Sequence, residues 1–428
     1  MITLDAADPG FEAAFTTLVE ARRDADADVA ADVAAILSRV RAEGDAALVD
    51  LTRRFDNFDI NSMGWSISRE ECAVAHTRLP RDLRDALNLA ADRIRAYHER
   101  QRPTDSDWTD ATGTRMGARW TAVEAAGLYV PGGRAAYPSS VLMNALPAKV
   151  AGVERLAMVT PTPNGTISQA VLAAAHIAGV DEIWRVGGAQ AVGALAYGTA
   201  RIAPVDVIVG PGNAWVAEAK RQLYGRVGID MVAGPSEILV VADADNDPAW
   251  IAADLMSQAE HDPTSQSILM TDSAAFAEAV VAAVEALLPS LSTEASARTS
   301  WQTHGAVILL SSLSDAPPLI DRLAPEHLEL AIADPDALFA RVRHAGSVFL
   351  GRHTPEAIGD YLGGPNHVLP TARRARFASG LSVADFMKRT SFLAVTPASI
   401  ALLGPAAATL ADAEGLPAHA ASVRARLI

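Results

Sequence analysis

The stretch that decides the fold runs from 123-VEAAGLYVPGG-133 through 138-PSSVLMNALPAKVAG-152 to 156-LAMVT-160. A short apolar run enters a Pro-Gly-Gly turn, a helical pattern follows, and a second short apolar run comes next. The alternation continues with strand-like runs at 183–186 and 207–209, each followed by a helical pattern. Strands that alternate with helices indicate an α/β fold, in which right-handed crossovers build a parallel sheet.

A second series of the same kind follows along the chain. Its strand-like runs lie at 238–242, 267–270, 306–310 and 347–350. Helical patterns over 248–260, 274–288 and 318–331 separate these runs. The repetition predicts two incomplete Rossmann-like lobes with parallel sheets, joined near residues 233–237. An N-terminal helical arm should precede them. After about residue 380 we expect no further strand, only a C-terminal helical tail.

Composition limits the class of protein. The chain has 428 residues, which is too long for one ordinary core, and a formal net charge of -15, which argues against a nucleic-acid partner. No apolar run approaches the length of a membrane span, and the acidic start predicts a cytoplasmic protein without an export signal. The single cysteine, Cys72, excludes an intrachain disulfide, and its neighbours Glu70 and Glu71 disfavour a reactive thiol.

Two junctions between a strand and a helix carry glycine. The first, 187-GGAQAVG-193, resembles a dinucleotide fingerprint, but Gln190 stands where the second glycine belongs, and no acidic residue closes the following strand. The second, 210-GPGN-213, places backbone amides at a helix start, where a pyrophosphate could bind. Each junction is equally consistent with a plain tight turn.

Polar side chains suited to acid–base and metal chemistry concentrate in the second half of the chain. Glu326 and His327 stand side by side in 324-APEHLEL-330 and offer two proton acceptors. Gln258 and His261 share a face of a predicted helix, and further candidates are Asp360, His367, Glu414 and His419. Nitrogen and oxygen ligands without cysteine suit zinc, cobalt or manganese. Each of these residues, taken singly, is also consistent with a structural role.

Several longer blocks resemble the histidinol dehydrogenase family. The catalytic and metal candidates lie in 254-DLMSQAEHDPTSQSILMT-271, 324-APEHLEL-330 and 354-TPEAIGDYLGGPNHVLPT-371, and 375-ARFASGLSVADFMKR-389 follows. The blocks 130-VPGGRAAYPSSVLMNALPAKVAGV-153, 210-GPGNAWVAEAK-220 and 233-AGPSEILV-240 are similar to the same family. The likeness covers nearly the whole chain from about 30 to 420.

The resemblance implies a zinc enzyme that oxidises L-histidinol to L-histidine through histidinaldehyde with two NAD+, in the last steps of histidine biosynthesis. It implies one zinc ion per subunit on Gln258, His261, Asp360 and His419, with Glu326 and His327 as the acid–base pair. The same zinc ligands would contact the substrate, together with Ser236, His327, His367 and Glu414. Tyr129, Gln190 and Asn213 would contact NAD.

The resemblance also implies how the chain is organised. The expected parts are an N-terminal arm over 1–24, a larger lobe over 25–122 and 237–378 with most zinc and catalytic residues, an NAD-binding lobe over 123–236, and a tail over 379–428. The family's homodimer exchanges these tails, so Glu414 and His419 would complete the site of the other subunit. No membrane or nucleic-acid partner is implied.

The residues themselves favour a mechanism. Oxidation of an aldehyde needs a tetrahedral adduct, and because Cys72 is poorly placed to form one, water must add with the help of a base such as Glu326. Three alternatives stay open at this point. They are a related zinc dehydrogenase of another small polar alcohol, a zinc hydrolase with Glu326 as the base, and a non-catalytic metal-binding assembly protein.

Overall fold

A computed structural model of the protein describes residues 1–21, 29–132, 137–232 and 234–427. Parts of the predicted Pro-Gly-Gly turn, of the N-terminal arm and of the junction between the lobes therefore lie outside the described residues. The strands are β1 Ile2–Asp5, β2 Ser66–Ile67, β3 Ser106–Thr109, β4 Arg115–Ala122, β5 Ala125–Tyr129, β6 Arg155–Val159, β7 Glu182–Trp184, β8 Val207–Val209, β9 Gly228–Ile229, β10 Glu237–Ala242, β11 Gln266–Thr271, β12 Ala306–Leu309, β13 His327–Ala331, β14 Ser347–Leu350 and β15 Met387–Ala394.

The helices follow most strands, as expected for this fold class. They are α1 Phe11–Glu20, α2 Ala30–Glu43, α3 Asp45–Asp56, α4 Ile60–Met63, α5 Arg69–Arg78, α6 Arg81–Glu99, α7 Pro138–Ala151, α8 Gln169–Ala178, α9 Gly188–Tyr197, α10 Ala214–Leu223, α11 Pro248–Ala259, α12 Ala274–Leu287, α13 Glu294–His304, α14 Ala316–Leu323, α15 Pro335–Phe339, α16 Glu356–Tyr361, α17 Pro397–Ala413 and α18 Pro417–Arg424. Within the described ranges, every helix is too short or too polar to serve as a membrane span.

The first sheet has the order β2-β7-β6-β5-β8-β9, and its neighbours are parallel except for β2 and β7. The strand β5 is buried at every position because helices cover both faces of the sheet. Ala126 and Leu128 point into one core and Ala125 and Tyr129 into the other. The continuous apolar run at 125–129 is typical of such a central parallel strand.

The second sheet repeats this winding. Its order is β1-β12-β11-β10-β13-β14, and all its pairs are parallel. In both sheets the chain leaves a central strand to one side and later returns to the other, which is the winding of a doubly wound fold. The prediction of two incomplete Rossmann-like lobes with parallel sheets is confirmed.

The structure distributes the N-terminal part of the chain differently from the expected lobe boundaries. β1 is a strand at the edge of the second sheet, and Phe15 of α1 is buried in the core of that lobe. The helices α2 to α6 cover the first sheet, so they do not join 237–378. Gly193 of α9 allows α2 to come close, because a Cβ there would lie 3.0 Å from Leu37. A helical sequence shows which face is apolar but not which sheet that face will cover.

The predicted helix over 318–331 is wrong in its second half. The helix α14 ends at Leu323, and Ala324 takes a left-handed backbone with φ of 41°. Pro325 cannot continue a helix because it lacks an N–H and disfavours the helical conformation in the residue before it. The chain then enters β13, which is buried along its whole length between β10 and β14. His327 is the first residue of this strand.

The expectation that strands stop near residue 380 is also wrong. β15 pairs with β4 in antiparallel register from Met387 opposite Ala122 to Ala394 opposite Arg115, and β3 flanks β4 on its other side. Most side chains of β15 are exposed, so the apolar pattern of a buried strand is missing from this stretch. The helical character of the end of the chain is confirmed, since α17 and α18 follow and pack against each other.

Candidate active site

Glu326 and His327 lie at the amino end of β13, and one residue of the neighbouring strand β10 holds both. The backbone N–H of Glu237 donates to Glu326 Oε2 at 2.9 Å. The ring nitrogen Nδ1 of His327 lies 3.0 Å from the backbone carbonyl of Glu237. A carbonyl oxygen only accepts, so Nδ1 carries the proton and the tautomer of His327 is fixed.

The other ring nitrogen of His327, Nε2, therefore carries the lone pair of a base. It lies 3.5 Å from Glu356 Oε1. Neither atom makes a hydrogen bond of ordinary geometry to the described part of the chain, although both are buried. An imidazole with one nitrogen anchored and the other free is arranged to take a proton from a bound molecule.

The carboxyl group of Glu326 is a stronger base than an exposed glutamate. Burial raises the pKa of Glu326 well above its ordinary value, because removal from water disfavours the charged form. The hydrogen bond from the Glu237 N–H lowers this pKa, and the negative charges of Glu237 and Asp360 raise it again. A carboxylate of raised pKa that remains within reach of water is suited to act as a general base.

Side chains with metal-binding atoms surround His327. The ligand atoms of His327, Glu356 and Asp360 lie within 4.8 Å of one another. Gln258 is fully buried on α11 beside Glu356, and among the described residues neither its Oε1 nor its Nε2 makes a hydrogen bond of ordinary geometry. A buried amide without partners is costly unless a ligand completes it. The donor atoms are nitrogen and oxygen, so the residues present fit a metal such as zinc.

The protonation states of the neighbouring side chains also suit a metal. Burial raises the pKa of Asp360, but its polar contacts with His367, whose Nδ1 lies 3.7 Å from Oδ1, and with His327 and Glu356 together outweigh burial and hold this pKa below its ordinary value. His261 follows α11, and part of its side chain is exposed although protein surrounds its ring. Desolvation lowers the pKa of its imidazole, and the charge of Asp360 opposes this shift only in part. Metals bind ionised carboxylates and neutral imidazoles.

The site lies beside a contact between the two lobes. Asn366, the neighbour of His367, donates from Nδ2 to the backbone carbonyl of Met143 at 2.6 Å, which joins this loop to α7 of the first lobe. Ser236 precedes β10, and its carbonyl accepts from the backbone N–H of Gln266 at 2.9 Å. Both predicted substrate residues, Ser236 and His367, therefore lie next in sequence to residues that are fixed by hydrogen bonds.

Glu414 and His419 lie away from this cluster in the single chain. Glu414 ends α17 and His419 is part of α18, and both side chains are exposed. These two helices pack mainly against each other. The chain alone thus brings together Glu326, His327, Gln258, His261, Asp360 and His367, but not the two predicted residues of the tail.

Four acidic residues of the site were missed from the sequence: Glu237, Asp254, Glu329 and Glu356. A signal existed for Glu356, because it lies four residues before Asp360 and a helix places such residues on one face. Glu329 lies two residues after His327 on the same face of β13, and it forms a hydrogen bond with Asp254 of α11. The prediction of a helix at this position concealed that alternation.

We expect the Glu329→Gln variant to be more stable than the wild type at alkaline pH. Burial and the charge of Asp254 raise the pKa of Glu329 to about 9, whereas the unfolded chain ionises near 4.5. Between these values the folded state binds the extra proton, so stability falls as pH rises, by at most about 1.4 kcal/mol per pH unit. Urea denaturation at pH 5, 6.5 and 8 should show a growing advantage of the variant.

The exposed Glu278 of α12 provides the matched control, since Glu278→Gln makes the same change outside any buried cluster. Its unfolding free energy should follow the wild type at each pH. If the unfolding free energy of Glu329→Gln differed from the wild type by the same amount at all three pH values, the raised pKa of Glu329 would be contradicted.

The predicted NAD contacts lie at the carboxyl ends of strands in the first sheet. Tyr129 ends β5, and its hydroxyl accepts from the backbone N–H of Gly188 at 3.1 Å. Gln190 is buried and folds back over Gly188, where a Cβ would lie 2.8 Å from the amide oxygen of Gln190. Open α/β sheets bind ligands in the crevice where the strand order reverses, which here is between β5 and β8.

The loop 210–213 is held rigidly at this crevice. Gly210, with φ of +115°, approaches Tyr129 so closely that a Cβ would meet the Tyr129 carbonyl. Its N–H donates to Asp230 at 2.8 Å and its carbonyl accepts from Lys220 at 3.0 Å, and these two side chains form a buried ion pair. Asn213 caps α10 by accepting from the Val216 N–H at 3.2 Å. A preformed loop at a helix start suits a pyrophosphate.

Comparisons with known proteins agree with one another. The family model described as Histidinol dehydrogenase matches residues 19–427. The chain is 66% identical over 427 residues to a histidinol dehydrogenase of Zymomonas mobilis, covering 100% of this chain and 99% of the relative. It is 62% identical over 424 residues to one of Ruegeria pomeroyi, covering 99% and 98%. The crystal structure of histidinol dehydrogenase from Elizabethkingia anophelis superposes with a TM-score of 0.94 at 34% identity, covering 100% and 98%.

Proposed function

The chain belongs to the histidinol dehydrogenase family, and we propose that its buried site oxidises L-histidinol to L-histidine through histidinaldehyde, in the last steps of histidine biosynthesis. The observation that carries the proposal is that the Glu237 N–H donates to Glu326 and the Glu237 carbonyl accepts from His327, whose ring lies within a group of metal-binding side chains. NAD+ supplies the hydride acceptor when bound, twice per substrate molecule.

In the first oxidation, His327 acts as the base. Its Nε2 takes the hydroxyl proton of histidinol while the hydride leaves the same carbon, so that aldehyde, NADH and one proton are formed. The hydrogen bond between Nδ1 and the Glu237 carbonyl supports this role, because it directs the lone pair of Nε2 to the substrate side and stabilises the imidazolium that forms.

In the second oxidation, Glu326 activates water. It takes a proton from water as the oxygen bonds to the aldehyde carbon, and His327 takes a proton from the resulting hydrate while the second hydride leaves. The products are histidine, a second NADH and two protons. The raised pKa of Glu326 supports the proposal, since a carboxylate of ordinary pKa is a weak base towards water.

We propose zinc as the metal, held by Gln258, His261, Asp360 and a His419 from a second copy of the chain. The buried amide of Gln258, which makes no hydrogen bond of ordinary geometry within the described residues, supports this set. When bound, zinc would orient the imidazole and amino nitrogens of the substrate and hold its reacting carbon against His327. Ser236, His367 and Glu414 would complete the substrate pocket.

We propose that Tyr129, Gln190 and Asn213 contact NAD in the first lobe. Tyr129 ends β5 and Asn213 follows β8, the two strands that flank the crevice. Gln190 lies in the first turn of α9, two residues after Gly188, whose N–H donates to the Tyr129 hydroxyl; these positions support the assignment. The loop 210–213 would receive the pyrophosphate, because its backbone is fixed before the cofactor arrives. The absent fingerprint glycine is then no obstacle, since Gln190 folds away over Gly188.

We propose a homodimer in which the C-terminal tails are exchanged, so that Glu414 and His419 enter the site of the other subunit. Two observations support it. Both side chains are exposed in the single chain, and α17 carries Leu402 and Leu410 with 68% and 66% of their surface exposed. Exposed leucines along one helix indicate a surface that another chain covers. A cytoplasmic location stays a prediction.

The experiment that tests the function measures NADH absorbance with metal-loaded protein, excess NAD+ and a limiting amount of L-histidinol. We expect two NADH per histidinol, loss of the reaction with a chelator and recovery with zinc. One NADH per histidinol would mean that the aldehyde is released and would contradict the role of Glu326. No NADH from histidinol, but NADH from other amino alcohols, would favour the related dehydrogenase.

A further inference from the structure

A buried network stands directly behind the catalytic pair. Arg373 donates from one guanidinium nitrogen to Glu237 Oε2 at 3.0 Å and from another to Gln266 Oε1 at 2.7 Å. The backbone N–H of Ala372 donates to the other carboxylate oxygen of Glu237 at 3.2 Å. The side chains of Arg373 and Glu237 are each only 2% exposed.

The backbone that presents Arg373 is strained. Ala372 and Arg373 have φ of 53° and 64°, a backbone conformation that residues other than glycine rarely adopt. Such strain persists only where the surrounding structure enforces it, and it concentrates at functional sites. Here the strained turn directs both the Ala372 N–H and the Arg373 guanidinium at one carboxylate, that of Glu237.

Glu237 transmits this constraint to the reacting groups. Its side chain is fixed by Arg373, while its own N–H and carbonyl hold Glu326 and His327. Gln266, the second partner of Arg373, holds the carbonyl of Ser236 through its backbone N–H. One guanidinium is therefore connected, through two neighbours, to three residues of the proposed site.

Stability alone is a poor explanation for this arrangement. Burying two charges removes them from water, and well-packed apolar side chains of similar volume are often as stable or more stable. The network is also placed at the one residue, Glu237, whose backbone N–H and carbonyl contact the two catalytic groups. A need for fixed geometry at that residue explains the position and the strain together.

We propose that Arg373 and Glu237 form a positioning pair that fixes the Glu237 backbone orienting Glu326 and His327; this inference rests on the proposed function. Neither residue contacts the substrate. The pair keeps the Glu326 carboxylate and the His327 lone pair directed at the protons that they remove, and a displacement of about 1 Å there can cost about 100-fold in rate.

The test compares Arg373→Met, Arg373→Lys and the double variant Glu237→Gln/Arg373→Met with the wild type. Arg373→Met leaves the Glu237 carboxylate buried without its partner, so its melting temperature should fall. The double variant removes both charges and should recover the melting temperature while kcat stays about 100-fold low, with both KM values within about twofold. Arg373→Lys keeps the charge but loses the forked geometry, and should recover part of kcat.

Arg352→Met is the matched control. Arg352 pairs with Asp243, which follows the opposite end of the same strand β10, at 2.6 Å. This variant loses a less buried ion pair in the same lobe, with side chains 27% and 19% exposed, and its kcat should equal that of the wild type. An equal loss of kcat in Arg352→Met would overturn the proposal, because the effect would then be general to the lobe.

A readout independent of histidinol separates this inference from the proposed function. Nitrogen-15 NMR of histidine-labelled protein reports the Nδ1–H tautomer of His327, assigned against His327→Asn. We expect a single locked tautomer in the wild type and a mixture in the double variant. A double variant with wild-type kcat, or with the tautomer still locked, overturns the positioning role. If the wild type produces no NADH from histidinol, the proposed function fails while the NMR comparison still decides the inference.

Discussion

The Glu326→Gln variant is expected to oxidise L-histidinol to histidinaldehyde but to lose the second oxidation, with aldehyde turnover reduced by about 10²–10⁴-fold. The amide oxygen of glutamine can still accept from the Glu237 N–H, so the local hydrogen bond is kept while the base is removed. His327 is untouched, and the alcohol step should therefore continue. A single turnover should yield one NADH per site instead of two, with the aldehyde trapped by a carbonyl reagent.

Glu278→Gln is the control for this variant, because it makes the same substitution at an exposed position of α12. Its aldehyde turnover should stay close to the wild type. Near-normal aldehyde oxidation by Glu326→Gln would show that another group activates the water. Loss of both steps to the same extent would show instead that the substitution disturbs His327.

The His327→Asn variant is expected to lose both oxidations, each by about 10²–10⁴-fold. The amide nitrogen of asparagine can take the place of Nδ1 and donate to the Glu237 carbonyl, but nothing replaces the lone pair of Nε2. Histidinol and histidinaldehyde should be assayed separately, with KM values for each. Because orientation by the metal ligands is kept, the KM for histidinol should change much less than kcat.

Metal content gives the control for His327→Asn, since the proposed ligands Gln258, His261 and Asp360 are unchanged. The variant should bind as much zinc as the wild type. A large loss of zinc would mean that His327 acts through the metal. If His327→Asn oxidised the aldehyde at the wild-type rate but lost the alcohol step, His327 would act as a base only in the first oxidation. Another group would then have to accept the proton of the hydrate.

The two lobes could be predicted because their central strands are buried on both faces. A strand such as β5 has no polar alternation, and its apolar run stands out between a glycine turn and a helix. β13 lacked this signal, since His327 and Glu329 interrupt its apolar run and the preceding segment is helical. Its pairing with β10 links residues about ninety positions apart, which no local pattern contains.

The catalytic residues of the site could be predicted from the sequence more readily than the residues that position them. Glu326 and His327 are adjacent in sequence, so their meeting required no knowledge of the fold. Glu237 acts through its backbone, and a peptide group has no signature in the sequence. Arg373 contacts Glu237, more than one hundred residues away, because Ala372 and Arg373 adopt a left-handed turn. The residue types alanine and arginine do not predict such a turn. Long-range contacts of this kind arise only when the lobes are packed.

The opposite placement of the two sites has a consequence for charge. Gln190 and Asn213, two of the proposed NAD residues, lie at the starts of α9 and α10, where the helix macrodipole is positive and favours the anionic pyrophosphate. Gln258 lies in the last turn of α11, where the macrodipole is negative and favours a cation. The metal and the amino group of histidinol are both cationic. The helix ends thus favour an anionic ligand at the NAD site and cationic groups at the metal site. An alcohol with an acidic group near the reacting carbon should therefore be a poor substrate.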